Sequence, residues 1–251
     1  MITMYHRPKT LAEALTLLTQ PNTVPLGGGT LLSHPRLDPV EVIDLQALGL
    51  NTITRKGNDL EFGATLTLQA LLESELCPET LKPAIKLEAP INIRNSATTA
   101  GTLFSSDGRS SFATALLSLD AKLEQVIFDN SKIEYRISNI GGFLPLRSTN
   151  LITKIIIPLN TKFAFEFVSR TPADKPIICA ALTKWDSGRT RLALGGYGKN
   201  PMLAMDGTEA EGLDAAANNA YHEANDEWAS AEYRMEVAAT LAQRCLESFK
   251  A

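Results

Sequence analysis

Pro25-Leu-Gly-Gly-Gly-Thr-Leu-Leu-Ser33 sets three consecutive glycines between an apolar approach and an apolar exit. Lacking Cβ, successive glycines can turn their amides toward one point and let an anion such as a pyrophosphate lie against bare main chain. The same stretch also reads as a plain strand-to-loop turn. A second candidate, Thr98 to Ser111, offers hydroxyls and glycines as neutral donors without an excess of Lys or Arg. A pair of such loops strengthens the ligand reading, which requires Gly28 and Gly101 to converge on one diphosphate. The chain has no Gly-x-x-x-x-Gly-Lys-Ser/Thr, and Gly27-Gly-Gly-Thr30 lacks the Gly-x-Gly-x-x-Gly spacing. P-loop and Rossmann nucleotide folds are therefore set aside.

The elements flanking the first loop are legible from caps and periodicity. Thr10-Leu-Ala-Glu13 is a capping-box pattern followed by Leu11, Ala14, Leu15 and Leu18 at helical spacing, so a helix ends by Pro21. Val24 to Leu26 predicts a short strand entering the glycines, and Val40 to Leu45 a second one. Segments 51–55 and 60–64 flank Lys56-Gly-Asn-Asp59 as a hairpin, which predicts a mixed sheet. Thr67 caps a helix carrying Leu68, Leu71 and Leu72, and another helix follows Pro78. Residues 91–111 are too rich in Ser, Thr and Gly for a core element and read as a long loop. A helix over 112–119, a hairpin over 122–137 turning at Asp129-Asn-Ser-Lys132, and a buried strand over 151–157 follow. Beyond Asn160 the pattern changes to strands near 163–168, 177–185 and 189–194, then helices near 208–220 and 230–249, as in a separate small α+β domain.

Composition narrows the function. The formal net charge of -4, with no dense Lys/Arg cluster, argues against nucleic acid. Cys77, Cys179 and Cys245 are far apart and odd in number, so neither a disulfide framework nor an iron-sulfur or Cys-x-x-Cys metal site is expected. His6, His34 and His222 share no ligand spacing, and no metal site is predicted. No apolar run approaches a membrane span and the N-terminal residues lack an export pattern, which together predict a cytoplasmic protein.

Three segments in this order carry a resemblance: Leu26-Gly-Gly-Gly-Thr-Leu-Leu32, Phe62-Gly-Ala-Thr-Leu-Thr67 and Ile93-Arg-Asn-Ser-Ala-Thr-Thr-Ala-Gly-Thr-Leu103. It continues through Ile155-Ile-Ile-Pro158, Leu194-Gly-Gly196 and Ser230-Ala-Glu-Tyr-Arg234. The chain resembles the FAD-binding (medium) subunits of the molybdenum hydroxylases, a group that includes the carbon monoxide dehydrogenase medium subunit and the flavin domain of xanthine dehydrogenase. The resemblance implies an α+β fold: a two-subdomain FAD-binding fold of the p-cresol methylhydroxylase type over 1–160 (subdomains about 1–56 and 57–160), then a small α+β C-terminal domain over 161–251. It implies FAD as cofactor, with the pyrophosphate held by Leu26, Gly27, Gly28, Gly29, Thr30 and Leu31 and by Thr98, Gly101, Thr102 and Leu103. Gly63, Ala64 and Thr65 would lie near the flavin end.

The flavin then supplies the redox chemistry, so no catalytic triad or proton base is needed and no catalytic residue is assigned. Partners would be an iron-sulfur subunit and a molybdopterin subunit on separate chains, with an external electron acceptor such as NAD, a quinone or oxygen. Set against the family's pattern, Ala100 adds a Cβ where backbone is usually bare. Ser111 stands where an Asp usually contacts the cofactor, although Asp107 matches another common acidic position. Gly108 replaces a Pro, and Glu166 replaces a basic residue near the flavin ring. These departures keep open an alternative, a non-catalytic binding or assembly module of the same fold. Arg94 is expected to order the second loop from below, Tyr233 and Arg234 to anchor the C-terminal domain, and Trp185 and Trp228 to face a partner or be buried.

Overall fold

The computed structural model describes residues 1–35, 37–129, 132–147, 150–172 and 174–250. Arg36, after the glycine loop, and the 130–131 turn of the second hairpin lie outside them. The chain opens with β1 (Ile2–His6), α1 (Leu11–Leu18), β2 (Thr23–Leu26) and β3 (Val40–Asp44). These strands make a parallel sheet in the order β1-β3-β2. Thr10 caps α1 by accepting from Glu13 N at 3.2 Å, while the Glu13 carboxylate takes the Lys9 amide. Ala14 and Leu15 pack on Ile43 and Leu45, and the same small core takes in Val126 and Leu151 from the next sheet.

That next sheet arises from β4 (Ile53–Lys56), β5 (Asp59–Gly63), α2 (Leu68–Glu73), α3 (Lys82–Glu88), α4 (Ile91–Arg94), α5 (Thr99–Ser105), α6 (Ser111–Ser118), β6 (Lys122–Asp129), β7 (Lys132–Asn139), α7 (Ile140–Leu146) and β8 (Leu151–Pro158). Its antiparallel order is β4-β5-β8-β6-β7. The β4–β5 hairpin therefore does not join the first sheet. The expected mixed sheet is instead a parallel one and an antiparallel one, and the chain changes from one to the other between Asp44 and Ile53.

The remaining residues form β9 (Thr161–Val168), β10 (Ile178–Trp185), β11 (Thr190–Gly195), β12 (Met202–Gly207), α8 (Leu213–Asn219) and α9 (Ala231–Glu247). The four strands make an antiparallel sheet, β12-β11-β10-β9. One face packs on α8 and α9 through residues such as Leu182, Leu194, Ala217 and Leu241. The other gives Phe163, Ala181 and Ala193 to the core built around α6.

Three elements were invisible in the sequence: β1, α7 with its two glycines and Pro145, and β12. The segment read as a long loop also differs, because it contains two helices. In α5, Thr102 Oγ1 bonds the Thr98 carbonyl at 2.8 Å and Ser105 Oγ the Gly101 carbonyl at 3.0 Å. Hydroxyls that bond the preceding turn let small polar residues sit in a buried helix.

Several polar clasps join the four-stranded sheet to the rest, three of them as follows. Gly108 exchanges main-chain hydrogen bonds with Gly196 and Gly198, and a Cβ there would stand 1.9 Å from the Tyr197 carbonyl oxygen. Proline at this position would also remove the donor to Gly198, which accounts for glycine where the family pattern has proline. Arg189 and Arg191 each pair with both Asp120 and Asp206. Arg109 donates to the Lys175 and Pro176 carbonyls. Arg234, fully buried, anchors α9 by binding the Ala224 and Ala229 carbonyls and Asp226, whereas Tyr233 is exposed.

Candidate functional site

The two loops singled out in the sequence are in contact. A Cβ built on Gly28 would lie 1.6 Å from the Ser96 carbonyl oxygen, and one on Gly27 would lie 2.5 Å from Thr98 Oγ1. Glycine is required here because backbone meets backbone, so the bare side of the first loop faces the second loop and not open space. The amide edge is what remains. Among the described residues, nothing accepts a hydrogen bond from the amides of Gly27 through Leu32. Gln46, beyond the end of β3, holds the loop by donating to the Gly27 carbonyl at 3.4 Å.

In the second loop the amides are already paired. Thr99 N bonds Leu66 O at 2.9 Å, Ala100 N bonds Ala64 O at 3.2 Å, and Gly101 N bonds the capping Thr98 Oγ1 at 3.2 Å. Arg94, expected to order this loop from below, bonds Gln69 Oε1 and the Lys86 and Ala89 carbonyls, so these contacts tie α4 to α2 and to the end of α3. Amides without an acceptor among the described residues are thus a feature of the first loop, while the second, expected to offer hydroxyls and glycines, has its amides at 99–101 taken up.

A groove of about 550 Å³ runs along this junction, between the parallel and antiparallel sheets. Of the residues expected from the sequence, Gly27, Gly28, Gly29, Thr30, Leu31, Ala64, Thr65, Thr98 and Gly101 line it. Leu26, Gly63, Thr102 and Leu103 stand behind it, as support. Leu26 pairs with Asp44 in the sheet, the Gly63 carbonyl accepts from Thr99 Oγ1, and Leu103 is fully buried. The structure does not bring Asp107 or Ser111 to the groove. Asp107 is exposed and paired with Lys175, and Ser111 is buried against Glu88 and the Ala84 carbonyl.

Glu88 is itself notable: it accepts from Ser110 and Ser111 hydroxyls and from Phe112 N, capping α6. Burial pushes its carboxyl above the usual range. Of the other departures, Ala100 does line the groove, with its methyl also in the core. Glu166 shares a strand face with Ala164, which packs in the α8–α9 core, and lies near Cys245 rather than the groove.

The groove also has walls that sequence reasoning missed: Phe104, Arg147, Asn150 and Ile152. Arg147 has a left-handed backbone, φ 44°, and its guanidinium bonds the Leu103, Phe104 and Ser106 carbonyls and Asn200 Oδ1. Desolvation lowers its pKa. Its signal was weak because it follows a Gly- and Pro-containing helix that periodicity does not reveal. Thr65 Oγ1, by contrast, is buried at the groove wall with no hydrogen-bond partner.

The donor set fits a dinucleotide of the FAD kind. A run of unpaired amides suits a pyrophosphate, an orphaned hydroxyl suits a polar ring or ribose atom, and the apolar remainder suits a flat aromatic system. The groove volume is typical of cofactor sites. Among the described residues no three His, Cys, Asp or Glu side chains cluster as metal ligands, and no helix is long and apolar enough to cross a membrane. All three cysteines are buried free thiols, Cys77 pushed up to about 11 and Cys179 and Cys245 to about 12.

The chain is 27% identical to the carbon monoxide dehydrogenase medium chain of Afipia carboxidovorans, across 98% of this chain and 96% of that one. Its structure superposes on a chain of the Cu,Mo-CO dehydrogenase in its cyanide-inactivated form with TM-score 0.82 and 25% identity, covering 98% and 97% of the two chains. Quinoline 2-oxidoreductase from Pseudomonas putida 86 shares the fold at TM-score 0.80 and 20% identity, covering 98% and 95%. Residues 1–160 match the family described as the FAD binding domain in molybdopterin dehydrogenase, and the chain belongs to that family.

Proposed function

We propose that this chain is the electron-transferring FAD subunit of a molybdopterin-dependent dehydrogenase. In this reading an iron-sulfur chain delivers electrons drawn from a molybdopterin chain, and an external acceptor removes them. The carrying observation is the row of unpaired amides from Gly27 to Leu32 beside the orphaned Thr65 hydroxyl on one apolar groove. The family membership and the full-length likeness to the medium chain of a carbon monoxide dehydrogenase support the same reading. Bound FAD supplies the two-electron and one-electron chemistry. The protein's part is to hold the diphosphate on neutral donors, order the flavin end through Ala64 and Thr65, and exclude water with Phe104, Leu151 and Ile152.

We read residues 1–160 as the FAD-binding domain, of the p-cresol methylhydroxylase type with two subdomains, and 161–251 as the C-terminal α+β domain. The change of sheet between Asp44 and Ile53 supports a subdomain division slightly before residue 56. Leu26, Gly63, Thr102 and Leu103 belong to the site as the layer that fixes the loops. A cytoplasmic location accords with three free thiols.

One observation favours the second reading, an assembly module that binds FAD weakly: the paired amides of Thr99, Ala100 and Gly101 leave one loop, not two, to hold the diphosphate. The visible absorption spectrum of the purified chain, before and after incubation with FAD and gel filtration, separates the two. Stoichiometric retained flavin supports the redox subunit; none retained supports the module.

A further inference from the structure

The strand β7 is outermost in the five-stranded sheet and, among the described residues, pairs with β6 alone. Sheet edges in native proteins are shielded by bulges, prolines or shortness. The edge strand β1 has a register shift between Ile2 and Met4, and the edge strand β4 is four residues long. β7 has eight residues, no proline and no shift.

The direction of its free main-chain groups follows from one bond. Ile140 N donates to Ala121 O at 2.9 Å, and the continuous register makes Ser138–Leu123, Arg136–Gln125 and Glu134–Ile127 the hydrogen-bonded pairs by alternation. The N–H and C=O groups of Ile133, Tyr135 and Ile137 therefore point away from the sheet. Tyr135 is 60% exposed and Ile137 54%. On the opposite side of the strand, Glu134 and Arg136 are neighbours 3.5 Å apart, both more than half exposed.

We propose that β7 pairs antiparallel with β7 of a second copy of this chain, centred on Tyr135. This register sets Tyr135 opposite Tyr135 on the two-fold axis, and Ile133 opposite Ile137 and Glu134 opposite Arg136, each of these two pairs repeated by the axis. Opposite charges and apolar residues facing across strands stabilise such a pair. Sliding one strand by two residues either way keeps the main-chain pairing but sets Glu134 against Glu134 and Lys132 against Arg136, or Arg136 against Arg136. The charges thus select one self-complementary register and disfavour its neighbours. The partner is a second copy because the strand's own charge order is complementary to itself when reversed.

Sedimentation of the full chain over a range of concentrations tests this. The wild type is expected to form a dimer. Glu134→Arg or Arg136→Glu alone creates two like-charge pairs and raises the dimer dissociation constant about tenfold. The double reversal restores it to within about threefold. Tyr135→Pro, whose amide faces away from β6 and so leaves the fold intact by circular dichroism, abolishes the dimer. A wild type that stays monomeric, single reversals without effect, or a double reversal that fails to restore pairing each overturns the proposal. So does capture of β7 by a different subunit with the wild type monomeric in isolation.

Discussion

The first loop, Gly27 to Leu32, and the start of the second, Thr98 to Gly101, are both candidate donor loops in the sequence and differ in the fold. In the first, six consecutive amides lack acceptors among the described residues; in the second, the amides of Thr99, Ala100 and Gly101 are taken up by Leu66, Ala64 and Thr98. The glycines of the first loop serve the second, since Gly28 must be bare for Ser96 to approach. One loop is therefore the donor surface and the other its backing. Glycine content alone does not distinguish a ligand-facing turn from a close main-chain contact; the pairing state of the amides does.

Breaking the contact between the loops should have the largest effect. Gly28→Ala forces the loops apart, because the new methyl would overlap the Ser96 carbonyl and neither backbone can yield cheaply. We expect a loss of about 3 kcal/mol in stability and loss of retained FAD, read by thermal denaturation and flavin absorbance. Thr65→Val probes the groove with little change in shape. Since the Thr65 hydroxyl has no partner in the protein, the apo chain should be as stable as wild type or more so, while FAD affinity falls about tenfold. Equal losses of stability and affinity would instead give Thr65 a structural role.

Ionic strength gives the smallest effect and separates amide donors from cations. Arg147 is the one Lys or Arg lining the groove among the described residues, and carbonyls and Asn200 occupy its guanidinium. Between low and moderate salt the FAD dissociation constant should change by less than about twofold, as measured by fluorescence quenching. A steep salt dependence would place the diphosphate on basic side chains outside this groove.

Several elements were legible because their signals are local: the Thr10 and Thr67 caps, the Gly57 turn with φ 59°, and the apolar run of the buried strand from Leu151 to Ile157. The helix α5 was not, since Thr99 and Thr102 share its buried face with Ala100 and Leu103, and their hydroxyls are satisfied by carbonyls that no sequence pattern reveals. The strand β1 was missed because its residues are mostly exposed and it is held by parallel pairing to distant β3. At the site, the glycine loop was marked by its own residues and Ala64-Thr65 by the resemblance alone, and both line the groove. Arg147 and Phe104 could not, because a long-range fold brings them there. Ser111 and Glu166 matched family positions yet lie elsewhere, since Glu88 takes up the one and the α9 side of the sheet the other.

The comparison between the loops is tested most directly by amide NMR of the labelled chain titrated with FAD. The account predicts large shifts and new exchange protection at the amides of Gly27 through Leu32, with Thr99, Ala100 and Gly101 protected before and after. Large changes confined to the second loop, or none at the first, would contradict it.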